Sequence, residues 1–363
     1  MWLAVAIGAL LTVFSVGVLV GLPAAVDHYT KNITKDGGLG DAADAGNSID
    51  GPINLLLIGT DERPDAPDNI RADSIIVVHV NAAHTQASLA SIPRDSLVDI
   101  PEFPDTEYPG GQDKINAAFQ YGFRSGGGKT KGMELLANTV SRLAGGMKFD
   151  GAAIINFQGL RGVVRALGGV RMCVDEKVTS IHVGWNKRTG EVGVPYYINS
   201  DGTPAGRREN MQPQVYWPGC HQFKDWQALD YARQRDLLAN NDGDYGRQRH
   251  QQQLIKAIMQ KATSSGVVTN PVKINSVLGS LGEALTFYNN DVPITDWVFT
   301  LKGIKPDKLT MIKTNGGKFN AVTVNGIWYE KLSDTSLDLL RAMNEDTVDA
   351  FVAANPTWVT PTG

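Results

Sequence analysis

Residues 1–26 contain no Asp, Glu, Lys, Arg, His, Asn or Gln, and only Thr12 and Ser15 carry polar side chains there. An apolar run of this length matches the roughly 30 Å hydrocarbon core of a bilayer at about 1.5 Å per helical residue. A helix with no polar face has no side to turn to water. The sequence therefore predicts a membrane or signal segment. A retained single-pass anchor is the favoured form, because the run exceeds the usual h-region of a signal peptide. Cleavage near Pro23-Ala24-Ala25 is the alternative.

Residues 27–51 are polar and rich in Gly, Ala and Asp, without a period, and read as a flexible tether. From Pro52 the pattern is globular. Apolar runs at 53–59, 74–80, 87–92, 152–157 and 169–174 read as strands, and 309–313 and 321–328 as later ones. Helical spacing covers 114–121, 133–143, 158–167, 224–235 and 245–262, then 272–287, 295–302 and 336–353. The polar stretch 179–217 reads as a hairpin or surface excursion. Alternating strands and helices without repeats point to one large α-β-α domain with a central mixed sheet over 52–356, followed by a short tail at 357–363. With 34 Lys+Arg against 38 Asp+Glu, the net charge of −4 argues against a nucleic-acid partner.

Charged clusters stand at an end of three of the apolar runs. They are Gly59-Thr60-Asp61-Glu62-Arg63, Arg71-Ala72-Asp73-Ser74 and Ser91-Ile92-Pro93-Arg94-Asp95-Ser96. Strand ends of open α/β sheets are where ligands collect. A denser cluster holds Arg233, Arg235, Arg247 and Arg249 within 17 residues. Arg247 and Gln251 are i and i+4, so they share a helix face, whereas Arg249 points about 200° away from Arg247 and serves another purpose. Arg233 and Arg235 can point the same way only where their helix ends or the chain is extended. Guanidinium forks grip phosphate oxygens, and paired aspartates hold Mg²⁺ against the same phosphates.

In order, D-x-R at Asp61, R-x-D-S at Arg71, S-I-P-R-D at Ser91, K-I-N-A-A at Lys114, A-R-x-R at Ala232 and D-x-x-R-x-x-x-Q at Asp244 resemble the LytR-CpsA-Psr family of cell-wall glycopolymer ligases. The resemblance implies a membrane-anchored, extracytoplasmic phosphotransferase. Such an enzyme moves a glycosyl phosphate from a polyprenyl-pyrophosphate-linked glycan donor (teichoic acid, capsule or arabinogalactan type) to a peptidoglycan acceptor and releases polyprenyl phosphate. It implies Mg²⁺ at Asp61 and Asp73, and pyrophosphate contacts from Arg63, Arg71, Arg94, Lys114, Arg233, Arg235, Arg247 and Gln251. Arg94, Arg233 and Arg235 are the implied catalytic residues. Where family members often carry Arg before the Gln pair, this chain has His250, so neither His250 nor Arg249 is given a role. A pyrophosphatase on the same lipid and a non-catalytic carrier-binding or regulatory protein remain as alternatives. Cys173 and Cys220 flank the polar excursion, and outside the membrane they are expected to pair.

Overall fold

The computed structural model describes residues 34–35, 37–44, 49–61, 70–264, 284–292, 294–301 and 303–360. The apolar segment 1–26, Arg63 and most of the expected helix at 272–287 lie outside them. Among the described residues no helix is long and apolar enough to cross a membrane.

Among the described residues, seven strands form the central sheet: β1 (Thr34–Lys35), β2 (Ile53–Thr60), β3 (Ala72–Val80), β4 (Ala87–Ile92), β5 (Gly151–Ile155), β6 (Leu285–Tyr288) and β7 (Leu309–Lys313). Their spatial order is β1-β6-β5-β2-β3-β4-β7. The β2–β5, β4–β7 and β1–β6 pairs are parallel, and β2–β3, β3–β4 and β5–β6 are antiparallel, so the sheet is mixed. All eight residues of β2 and all six of β4 are buried, which requires cover on both faces.

The covering helices are α1 (Ile115–Phe123), α2 (Gly128–Leu143), α3 (Phe157–Ala166), α4 (Asp225–Arg233), α5 (Gly243–Ser264), α6 (Ile294–Leu301), α7 (Asp334–Asn344) and α8 (Val348–Ala354). Strand alternation separates the two sides. Ser74 in β3 donates its hydroxyl to Gln251 of α5 at 2.8 Å. His79, five residues on and so on the opposite face, sits 2.9 Å from Asp346 between α7 and α8. The α5 side also holds Trp297 of α6, fully buried at the glycine that opens β5. A Cβ on Gly151 would come within 3.1 Å of that indole.

Several expectations are corrected. The stretch read as a tether joins the domain from Thr34 onward. Thr34 and Lys35 pair with Phe287 and Tyr288, and Leu39 and Ala42 are buried. Its glycines permit close packing rather than looseness: a Cβ on Gly38 would fall 2.4 Å from the Tyr288 ring, at a φ of +75 to +82° for Gly37 and Gly38. Residues 285–287, expected as the end of a helix, lie in strand β6. Residues 336–353 form two helices, because Asp346 takes a φ of +53° between them. The run at 321–328 is a hairpin, Ala321–Val324 with Ile327–Glu330, turned at Asn325-Gly326. The tail is docked up to Thr360, whose N–H donates to the Met311 carbonyl at 2.7 Å.

The polar excursion folds as a separate three-stranded sheet, Val178–Asn186 between Val192–Gly193 and Met211–Tyr216, with a small hairpin at its tip. Beside it, Val170–Val174 and Gly219–Phe223 pair antiparallel with Cys173 opposite Cys220, and the two form a disulfide. The bridge closes a sequence separation of 47 residues. In the chain-entropy account such a loop contributes about 4 kcal/mol. The Cys173→Ser, Cys220→Ser variant is expected to melt several degrees lower. A melting curve superimposed on that of the parent would contradict a stabilising role.

Candidate functional site

One edge of the sheet collects the charged clusters. β2 ends at Thr60, β3 begins at Ala72 directly opposite it, and β4 ends at Ile92 opposite Ile75. Asp61 and Arg94, just past the ends of β2 and β4, and Asp73, the second residue of β3, therefore lie at the same edge. β5 ends there too, with Ile155 alongside Gly59. α5 begins close by, its first turn carrying Asp244.

The centre is an ionic chain. Arg94 Nη1 donates to Asp73 Oδ1 at 2.6 Å, and Arg94 Nε lies 3.6 Å from Asp95 Oδ2. Asp95 Oδ1 in turn accepts from Lys114 Nζ at 2.8 Å. The backbone fixes this order, since Ile115 N–H donates to the Ser96 carbonyl and Asn116 N–H to that of Arg94. From α5, Arg247 Nη2 reaches the Asp73 carbonyl at 3.0 Å and Asp244 Oδ1 at 2.6 Å.

Burial penalises every charge here, and the partners decide the outcome. Burial pushes the Asp73 carboxyl up, but Arg94 and Arg247 outweigh it and hold it below the usual carboxylate range. Asp244 behaves alike, with Arg247 and Arg94 overcoming burial. Burial lowers Arg94, but Asp73, Asp244 and Asp95 raise it above its ordinary value. Arg247 is held below its ordinary value by burial and by Arg94, against the pull of Asp244. Two guanidiniums thus crowd one another in a half-buried pocket, where an added anion would relieve their repulsion. Donors also remain unspent: Arg94 Nε, Arg247 Nε and the Gln251 amide Nε2 are buried without a hydrogen-bond acceptor. Unmet buried donors are costly, so a ligand's oxygens would find them ready.

Arg233 closes α4 and Gln234 is extended (φ −72°, ψ 133°). This is the geometry needed for Arg233 and Arg235 to act together. Arg233 stacks over Phe157 at 4.2 Å, at the carboxyl end of β5. Arg235 extends the positive field to Asp244 and Arg247, which joins the two groups of arginines. Arg71 turns to Gln120, its Nε donating at 3.0 Å.

Arg249 leaves the site, as its spacing from Arg247 implies. It is ringed by Asp175 at 2.6 Å, Glu176 and Asp242. His250 is buried against the Tyr231 ring at 4.3 Å, with Nε2 3.5 Å from Glu176.

Asp244, which opens the last of the six motifs, is the i−3 partner of Arg247. Two participants were not singled out from sequence. Phe157 had no signal beyond closing an expected strand. His182 lies in the excursion beside Arg233 and Arg235. Burial and those two cations push it down to about 3, so it stays neutral. Its unfolded value is near 6.5, so the folded state binds fewer protons between about pH 3 and 6.5, and stability drains as pH falls through that window. Compared with His182→Gln, the parent is expected to lose stability as pH drops below about 6.5. A difference that does not change with pH would contradict the placement of His182.

No group of three or more His, Cys, Asp or Glu side chains able to share a metal occurs among the described residues. The hard oxygens of Asp61 and Asp73, at adjacent strand ends, nevertheless suit Mg²⁺, which takes one or two carboxylates and completes its shell with water and substrate phosphate.

Comparisons with known proteins agree with this frame. An Enterococcus faecalis protein named polyisoprenyl-teichoic acid–peptidoglycan teichoic acid transferase TagU is 28% identical over 260 residues, covering 71% of this chain and 70% of that protein. The probable cell wall biosynthesis protein LcpB of Corynebacterium glutamicum is 32% identical over 233 residues, covering 61% of this chain and 44% of that one. The crystal structure of TagV from B. subtilis superposes with a TM-score of 0.57 at 21% identity, covering 83% of this chain and 99% of that one. Residues 23–345 match the LytR_cpsA_psr family. With a mixed sheet whose edge gathers Asp61, Asp73, Arg94 and Arg247, the chain belongs to the LytR_cpsA_psr family.

Proposed function

We propose that this protein is a membrane-anchored phosphotransferase that moves a glycosyl phosphate from a polyprenyl-pyrophosphate-linked glycopolymer to a peptidoglycan hydroxyl. The observation that carries this reading is the pair of half-buried Arg94 and buried Arg247 around Asp73, each with an unspent Nε–H donor. Such a site has a use for a compact polyanion, and a pyrophosphate supplies both the charge and the acceptor oxygens. The curated relatives named as teichoic acid transferases direct the choice of donor and acceptor. The uncharged run at 1–26 supports an anchor.

In this mechanism Arg94, Arg247 and Gln251 bind the pyrophosphate oxygens, and Arg233 and Arg235 neutralise charge that grows on the departing phosphate. The acceptor hydroxyl oxygen bonds to the sugar-side phosphorus and the P–O bond to the lipid-side phosphate breaks. The electron pair leaves with polyprenyl phosphate, and the hydroxyl proton is released with it. Phosphoryl transfer asks for in-line positioning and charge neutralisation, which fixed guanidiniums provide without reorganising. Asp61 and Asp73 would hold Mg²⁺, which supplies further neutralisation of the phosphate oxygens. Asp95 orients Arg94 and Lys114 from between them.

Binding tests the reading. Polyprenyl pyrophosphate is expected to bind more tightly than polyprenyl monophosphate in detergent, and the preference is expected to shrink in Arg247→Gln. Equal affinity for both lipids would overturn it. Chelation is expected to stop turnover and Mg²⁺ to restore it, with the metal response blunted in Asp73→Asn; a variant responding to Mg²⁺ as the parent does would remove Asp73 from the metal.

A further inference from the structure

The hairpin Ala321–Val324/Ile327–Glu330 belongs to none of the six motifs, yet it is built into the site. Glu330 N–H donates to the Asp95 carbonyl at 3.0 Å, directly beside Arg94. The Glu330 side chain is buried and accepts from Tyr245 Oη at 2.8 Å, Asn315 Nδ2 at 2.7 Å and Asn320 N–H at 2.9 Å. The hairpin is therefore clamped between the ionic chain and the first turn of α5.

On this rigid mount, and in the segment leading into it, two aromatic rings face outward. Phe319 is 49% and Trp328 41% exposed, well above the fully buried aromatics of the core. They stand edge to face at 6.5 Å, with Tyr245 packed behind Phe319 at 5.2 Å. Lys114 Nζ, the last cation of the ionic chain, lies 5.6 Å from the Trp328 ring. A loose loop could bury such rings by collapsing, whereas this one is pinned with them exposed, and paired exposed rings mark a contact surface.

We infer that Phe319 and Trp328 form the platform on which a sugar ring of the acceptor glycan stacks, presenting its hydroxyl to the phosphorus held at Arg94. The identity of the acceptor rests on the transferase reading above. A pyranose offers an apolar C–H face to an aromatic ring and hydroxyls at its rim, so stacking can position it without charged contacts. The continuity Trp328–Lys114–Asp95–Arg94 favours this occupant over a bilayer, since it runs from the platform straight to the reacting group.

The test uses the full chain in detergent and a peptide-free GlcNAc–MurNAc oligosaccharide, titrated without lipid donor. The double variant Phe319→Ala, Trp328→Ala is expected to weaken glycan binding about tenfold while polyprenyl pyrophosphate binding stays unchanged. Trp328→Phe, which keeps a ring, is expected to recover most of the affinity. Unchanged glycan affinity in the double variant would overturn the platform. So would a loss of adherence to phosphatidylglycerol vesicles with glycan binding intact, which would make the rings a membrane contact. Because glycan binding is read without the donor, a parent that binds glycan through these rings but transfers nothing would sink the transferase reading and leave the platform standing.

Discussion

Replacing Arg94 with Ala is expected to lower transfer by about 10²–10³-fold or more, with the fold retained. Removing a single preorganised donor aimed at developing charge costs this much in other enzymes, about 2.7–4 kcal/mol. Arg94 does more than donate once. It neutralises Asp73, meets Asp95, and so sets the chain that reaches Lys114. Arg94→Lys keeps the charge but loses the planar fork, and is expected to recover little. The fold should survive because Asp73 retains the field of Arg247. Steady-state transfer together with a thermal melt checks both halves. An Arg94→Ala protein with near-parent activity would remove Arg94 from the site, and one that does not fold would make its role structural.

Arg249→Ala is expected to have the opposite profile. This side chain is 9% exposed and meets Asp175, Glu176 and Asp242. Its removal leaves the almost fully buried Glu176 and two neighbours without their shared cation. Breaking a buried ion pair from one side costs about 3–5 kcal/mol. A denaturation midpoint should fall accordingly. The fraction that remains folded should turn over nearly as the parent does, because Arg249 lies on the far side of α5 from Arg247. A stable variant with lost activity would reverse the assignment. Two arginines two positions apart on one helix are thus expected to divide function from stability.

That division was legible in the sequence, because a helix turns about 100° per residue and separates such neighbours on its own. Runs with strong local character were legible too: 87–92 and 309–313 form strands with those same ends. Elements whose ends depend on a backbone conformation were harder. The Asn325-Gly326 pair, a strong hairpin signal, divides 321–328 into two strands. Asp346 has no such signature, so two helices read as one. The glycines at 38 and 40 suggested a tether by composition, although they sit in close contact with Tyr288 and Glu134, which lie far away in sequence. In the site, the motif residues Asp73, Arg94, Lys114, Arg247 and Gln251 converge at one sheet edge. His182, Phe157 and the hairpin of Trp328 come to that edge only through tertiary packing, and no spacing within the chain announces it.

The central claim is that the arginines around Asp73 serve transfer of a phosphate-linked glycan to peptidoglycan. The most direct measurement incubates the full chain in detergent with a polyprenyl-pyrophosphate-linked oligosaccharide, Mg²⁺ and peptidoglycan oligomers, and follows all products by mass spectrometry. The expected result is one phosphodiester-linked glycan on the acceptor for each polyprenyl phosphate released, with neither product formed when Arg94 is Ala. Release of polyprenyl phosphate at an undiminished rate without acceptor, and no glycan on the peptidoglycan when acceptor is present, would contradict the account.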